Sequence, residues 1–154
     1  MGFAGGSASR GSVPSFVPER YVAPIRRAAA RWSVSAALLA AQLRRESNFD
    51  PGARSPAGAL GIAQFMPGTA RNYRLRDPFD PAAAIDAQAH LMQDLLRDFG
   101  AVPLALAAYN AGPVPVRRCM CVPEIPETQA YVADILGLTS GGAADPGLPV
   151  RLVR

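Results

Sequence analysis

Between residues 19 and 138 apolar side chains recur at helical spacing, and the polar, Gly and Pro positions between them mark where each helix must stop. The pattern predicts a first helix from Glu19 or Tyr21 to Arg31. Ser33 reads as the N-cap of a second, which turns Leu38, Leu39 and Leu43 inward and carries Glu46 near its C-terminal end. Residues 50–65, punctuated by Pro51, Gly52, Pro56, Gly58 and Gly61, read as turns with at most a small β-hairpin. A short helix is expected after Pro67. Asp80-Pro81 supplies an N-cap and an N1 proline for a longer helix, with Ile85, Met92, Leu96 and Phe99 on one stripe and Gly100 as its stop. Pro103 opens an alanine-rich helix that ends at Asn110 to Gly112, and a last helix runs from Pro126 to Leu136, closed by Gly137. No internal repeat is visible. The expected fold is mainly α, one domain over 19–138, with 1–18 as a flexible leader and 139–154 as a Pro/Gly-rich tail or linker.

Length and composition narrow the classes. A chain of 154 residues supports one core, and 49% apolar with 18% charged residues describes a globular protein rather than a disordered one. All sixteen basic residues are arginine, and the net charge of +4 is mild and scattered. Such an excess suits an anionic polymer such as bacterial cell wall, nucleic acid, or merely a solvated surface. Nucleic acid is the least expected of these, because the arginines form no motif with interleaved aromatics. No stretch approaches the ~18 consecutive apolar residues of a membrane span. The first twenty residues hold no apolar signal-peptide core. Work outside the cytoplasm would then require a removed export signal, a longer parent protein, or delivery by a phage particle or secretion machine. Cys119 and Cys121 are two apart, a spacing that neither a helix nor a strand turns into facing side chains, so a mutual disulfide would need unusual backbone geometry and free or adventitiously oxidised thiols are expected. With one distant histidine, His90, they make no zinc site; His90 itself reads as structural or exposed.

Glu46 is one of only four glutamates and sits where a helix gives way to a Gly/Pro-punctuated loop. Apolar and amide neighbours would keep its carboxyl protonated near neutral pH, as a general acid requires. A carboxylate at a helix C-terminus also opposes the dipole by ~0.3–1 kcal/mol, which acts in the same direction, whereas a nearby Arg44 or Arg45 would act against it. Four segments accompany one another: Glu46-Ser47-Asn48-Phe49, Gly61-Ile62-Ala63-Gln64-Phe65-Met66-Pro67, Ala108-Tyr109-Asn110-Ala111-Gly112, and Pro126-Glu127-Thr128-Gln129-Ala130-Tyr131-Val132. In that order and spacing, over residues 34–137, they resemble the soluble lytic transglycosylases, the goose-type-lysozyme-like family.

The resemblance implies a lysozyme-like fold that cleaves the β-1,4 bond between N-acetylmuramic acid and N-acetylglucosamine in peptidoglycan. It makes Glu46 the sole catalytic carboxylate, puts Gln64 and Met66 around the acetamido groups, sets Tyr109 and Asn110 near the acid, and has Glu127 and Tyr131 close the far side of the cleft. Ser47 joins them as a substrate-side residue beside the acid. Each also has a plainer reading. Ser47 bonds backbone at a helix end, Gln64 braces a loop, and Met66 packs. Tyr109 and Tyr131 fill a core, Asn110 caps a helix, and Glu127 faces a helix dipole. Two features depart from the family pattern: Ala63 stands where a bulkier residue is usual, and Pro115 with Cys119-Met120-Cys121 replaces a more regular connection.

The chemistry has its own logic. Glycoside cleavage needs a proton on the leaving oxygen and support for an oxocarbenium-like centre, usually from two carboxylates. Near Glu46 the motif segments offer only Asp50, which precedes Pro51 and reads as a turn residue. The sugar's 2-acetamido oxygen then takes the second role, and ionised Glu46 takes the C6 hydroxyl proton as a 1,6-anhydro ring closes. Proximity in such an intramolecular attack is worth up to ~7–11 kcal/mol. No metal or organic cofactor is expected. The glycan strand is the expected partner, nucleic acid is not, and the chain is expected to be a monomer. The competing readings are a hydrolytic muramidase, with water as acceptor, and a non-catalytic glycan-binding or structural module.

Overall fold

A computed structural model describes residues 11–140. Seven helices and no strand occur among them. The chain divides into two compact units, Met1–Gln93 and Asp94–Arg154. No described helix is long and apolar enough to cross a membrane.

The first unit holds α1 (Glu19–Trp32), α2 (Ala36–Ser47), α3 (Pro67–Asn72) and most of α4 (Pro81–Phe99). Ser33 does not cap α2. It adopts φ 56° and ends α1, and its N–H donates to Ala29 O. Ser35 is the N-cap instead, its Oγ accepting from Leu38 N at 3.1 Å. The two serines are two residues apart, and only the left-handed backbone at the first tells stop from start. Leu39 and Leu43 are completely buried, as their spacing predicted, with Ile25, Ile62, Ile85 and Met92. On α4 the inward row includes Leu95, while Leu96 is only half-buried. Asp80 caps α4 as expected, its Oδ1 accepting from Ala83 N at 3.3 Å.

Within the segment read as a leader, Val17 is buried and the Phe16 ring lies 6.2 Å from that of Phe49, with the Arg44 guanidinium 4.7 Å above it. Residues 1–10 of that leader, and 141–154 of the tail, lie outside the described residues.

The second unit holds the end of α4, then α5 (Val102–Ala111), α6 (Pro113–Cys119) and α7 (Pro126–Thr139). Alanines along α5 leave room for close helix approach, and α5 packs against both α6 and α7. Leu106, Val116, Tyr131 and Ile135 form the centre of this core. Helix α6 was expected as an irregular connection. Its prolines, Pro113 and Pro115, fall in the first turn, where a missing N–H costs nothing. Gly137 does not close α7. The helix runs through it to Thr139, and the Ser140 N–H donates to Leu136 O at 3.2 Å.

The cysteines correct the sequence reading. Cys119 and Cys121 are disulfide-bonded, with Cα atoms 5.1 Å apart. The residue between them, Met120, is left-handed at φ 49° where α6 ends, so neither helix nor strand geometry applies to the pair.

Candidate active site

In the first unit α2 carries Glu46 and Ser47 on its last turn, both half-buried. Two consecutive left-handed residues follow, Asn48 at φ 52° and Phe49 at φ 64°. Positive φ is costly for a bulky residue, roughly 1–3 kcal/mol, and persists only where the surroundings hold it. Here the Phe49 ring is buried and stacks on Tyr21 at 6.2 Å. That anchor turns the chain sharply away as soon as Glu46 has been presented.

Ser47 joins this helix end to the second motif segment. Its Oγ donates to Ile62 O at 2.8 Å and accepts from Asp50 N at 3.2 Å. Asp50 is the turn residue expected, its Oδ1 accepting from Gly52 N at 2.9 Å. The 50–65 stretch forms a twisted ladder of two isolated antiparallel bridges, Arg54 with Leu60 and Leu60 with Phe65, rather than a hairpin of proper strands. Leu60 and Phe65 exchange both backbone bonds, at 2.9 and 3.0 Å. Gly61 sits inside this turn at φ 82°, and a Cβ there would strike the Pro78 carbonyl, so only glycine fits.

Gln64 occupies a left-handed position, φ 54°, and its Nε2 donates to Gly61 O at 2.9 Å and Ala53 O at 3.3 Å. Its amide nitrogen therefore braces the turn, which leaves Oε1 as the atom with which it can meet a ligand. Met66 is 45% exposed, unusual for a thioether, and its Cε lies beside Gly58. Ala63, the position where the family carries a bulkier residue, is completely buried.

Sequence reading missed a buried amide pair behind this helix. Gln42, one turn before Glu46, is fully buried, and its Oε1 accepts from Gln88 Nε2 at 3.2 Å. The same Nε2 donates to Leu39 O at 3.2 Å, while Gln88 Oε1 is buried without a hydrogen-bond partner. A glutamine on the inward face of an Ala/Leu run was the available signal.

In the second unit Asn110 and the Pro126 to Val132 segment meet directly. Thr128 Oγ1, in a residue only 1% exposed, donates to Asn110 Oδ1 at 2.8 Å, a contact the sequence did not single out. Tyr109 and Asn110 are half-buried at the end of α5, where Gly112 at φ 86° turns the chain into α6. Glu127 is exposed in the first turn of α7, a position that favours a carboxylate. Tyr131, expected on a cleft wall, is 1% exposed, so its ring belongs to the core of this unit.

The sequence profile of the transglycosylase SLT domain matches residues 23–129, which includes all four motif segments but for the last three residues of the fourth. The transglycosylase of Enterobacteria phage PRD1 is 34% identical over 85 residues, covering 55% of this chain and 32% of the relative. Membrane-bound lytic murein transglycosylase D of Escherichia coli K12 is 35% identical over 114 residues, covering 61% of this chain and 25% of the relative. The chain thus spans a third or less of the length of these curated relatives. Among solved structures, an inactive Glu-to-Gln mutant of the lytic transglycosylase Slt from Pseudomonas aeruginosa superposes with a TM-score of 0.69 at 28% identity, covering 79% of this chain and 24% of that one. The 70-kDa soluble lytic transglycosylase of Escherichia coli gives a TM-score of 0.71 at 25% identity, covering 84% and 25%. Motifs, helical fold and sequence match agree: the chain belongs to the transglycosylase SLT domain family.

Proposed function

We propose that this chain is a peptidoglycan lytic transglycosylase domain that cleaves the β-1,4 bond between N-acetylmuramic acid and N-acetylglucosamine, with Glu46 as its single acid and base. The observation that carries this is the fastening of the Glu46 helix end to the Gly61–Pro67 segment through the Ser47 to Ile62 bond. A carboxylate is thereby set beside a loop that offers an amide oxygen, Gln64 Oε1, and an exposed thioether, Met66. Asp50 is spent on a turn, which favours a mechanism on one carboxylate. A solved relative is rendered inactive by a single Glu-to-Gln exchange, as such a mechanism requires.

In this reading protonated Glu46 gives its proton to the glycosidic oxygen as the C1–O bond breaks. The 2-acetamido oxygen of the muramyl residue bonds to C1 in its place. Ionised Glu46 then takes the proton of the C6 hydroxyl, O6 displaces the acetamido oxygen, and a 1,6-anhydro ring closes. Glu46 ends protonated, ready for another turnover. Ser47 positions the loop, Tyr109 and Asn110 serve the acid's surroundings, and Glu127 takes part in substrate contact from α7; Tyr131 supports that helix from within.

The site of action is the cell wall, in the periplasm or outside the cell. A longer parent protein would carry the domain there, in keeping with the greater length of the relatives, or a phage particle would, as the phage relative illustrates. Mass spectrometry of digested peptidoglycan tests the reaction. Anhydro ends are lighter than reducing ends by one water, and a digest with reducing ends alone would instead make the protein a hydrolytic muramidase.

A further inference from the structure

Outside the motif segments, the first unit has a cavity of about 330 Å³ between the end of α3 and the start of α4. Its walls include Tyr73 and His90, and its rim carries Arg74, Arg76, Asp77 and Asp80. We propose that this cavity binds the zwitterionic end of a cell-wall peptide stem, a group that carries an ammonium and a carboxylate on one carbon.

Three observations lead there. The first is size. The cavity lies at the lower end of the ~300–1,000 Å³ range of small-molecule sites, so it takes an amino-acid residue or two and not a glycan strand. The second is charge. Asp77 Oδ1 accepts from Phe79 N at 2.9 Å and Asp80 Oδ1 from Ala83 N at 3.3 Å, so each carboxylate keeps one oxygen for a ligand ammonium. Arg74 and Arg76 form no ion pair with a described residue, although both carboxylates share their rim. A third lining carboxylate, Asp86, is taken by Arg31 and Trp32, which leaves two charges of each sign not satisfied by one another to complement a ligand that brings one of each.

The third is a built wall. His90 stacks on Trp32 at 3.8 Å between ring centroids and 4° between planes, with Tyr73 edge-on to His90 at 4.9 Å. Trp32 Nε1 donates to Asp86 Oδ1 at 3.0 Å, Arg31 bonds Asp86 Oδ2 at 3.1 Å, and Gln93 Nε2 holds the Trp32 carbonyl at 2.8 Å.

Assigning the peptide to the cell wall rests on the proposed peptidoglycan activity; the zwitterion complementarity does not. Trp32 is the only tryptophan and touches both His90 and Asp86, two residues that line the cavity, so its indole N–H resonance and its fluorescence are single reporters beside it. The full chain is titrated with glycan-free L-alanyl-γ-D-glutamyl-meso-diaminopimelic acid, with the same peptide N-acetylated and amidated, and with glycylglycine. The expected result is a saturable indole shift below about 10 mM with the first peptide only. The double variants Arg74→Ala/Arg76→Ala and Asp77→Asn/Asp80→Asn, all surface changes, should each weaken it about fivefold, and Glu46→Gln should not. No saturable shift, or an equal shift with the blocked peptide, overturns the site. An equal shift with glycylglycine overturns its assignment to peptide stems. Because the probe has no sugar, loss of the transglycosylase reading through its product masses leaves this result standing, and the reverse holds as well.

Discussion

The two motif-bearing regions hold their residues by different means. In the first unit Glu46, Ser47 and Gln64 are set by backbone: three left-handed non-glycine residues, a glycine with no room for a Cβ, and side chains bonded to main-chain carbonyls. In the second unit Tyr109, Asn110 and Tyr131 lie on packed helices, and Asn110 is tied to Thr128 by a side-chain hydrogen bond. Turn geometry tolerates almost no substitution at a few positions, whereas packing spreads the cost over many contacts. Chemistry that needs one carboxyl at one point is better served by the first arrangement.

The largest test of that contrast is Glu46→Gln. Loss of an acid–base group typically costs 10²–10⁴-fold in rate, so cell-wall clearing should fall to background while the circular dichroism and Tm stay unchanged. Unaltered clearing would sink the assignment of Glu46. Next is Gly61→Ala, which combines left-handed strain with a clash on the Pro78 carbonyl. It should cost about 3 kcal/mol in a denaturant titration. Gly112→Ala, at φ 86° and ψ 158° in a region only glycine readily adopts but with open space around it, should cost less, about 2 kcal/mol. Equal losses at the two glycines would erase the distinction between the regions.

Ser47→Ala removes the bond to Ile62 O and the acceptor of Asp50 N, Thr128→Val removes the bond to Asn110, and each should cost about 1–2 kcal/mol of stability. They should part in kinetics: Ser47→Ala lowers kcat through a displaced Gly61–Pro67 loop, and Thr128→Val mainly raises KM. The smallest effect is expected from Cys119→Ser with Cys121→Ser. A bridge across two residues restricts little of the unfolded chain, so Tm should move by the equivalent of about 1 kcal/mol.

Much of this was legible in one dimension. The helices around Leu39, Ile85 and Leu106, the Asp80 cap and the Asp50 turn follow from spacing and from local bonding by short polar side chains. The motif segments announced themselves because turn-forming glycines and chemistry-bearing side chains stood together. What was missed involved neighbours distant in sequence, or a single backbone angle. Gln42 and Gln88 are 46 residues apart and meet only once α2 and α4 pack. The Cys119–Cys121 bond follows from the left-handed Met120 alone. Tyr131 looked like a wall of the site because of its motif, yet α7 turns it into the core.

By itself, then, the sequence determined a helical chain and its family, and it singled out the carboxyl proposed to carry the family's chemistry, because periodicity, caps and motif spacing are local properties. Only the tertiary structure decided how that carboxyl's helix end is held: Ser47 reaches fifteen residues ahead to the Ile62 carbonyl, and Gly61 clears a path for Pro78. The charged cavity beside His90 is lined by the 73–80 loop and the start of α4, and only its backing by Trp32 of α1 is a long-range contact. Long-range contacts depend on how elements pack, and packing is a property of the whole chain that no local pattern encodes.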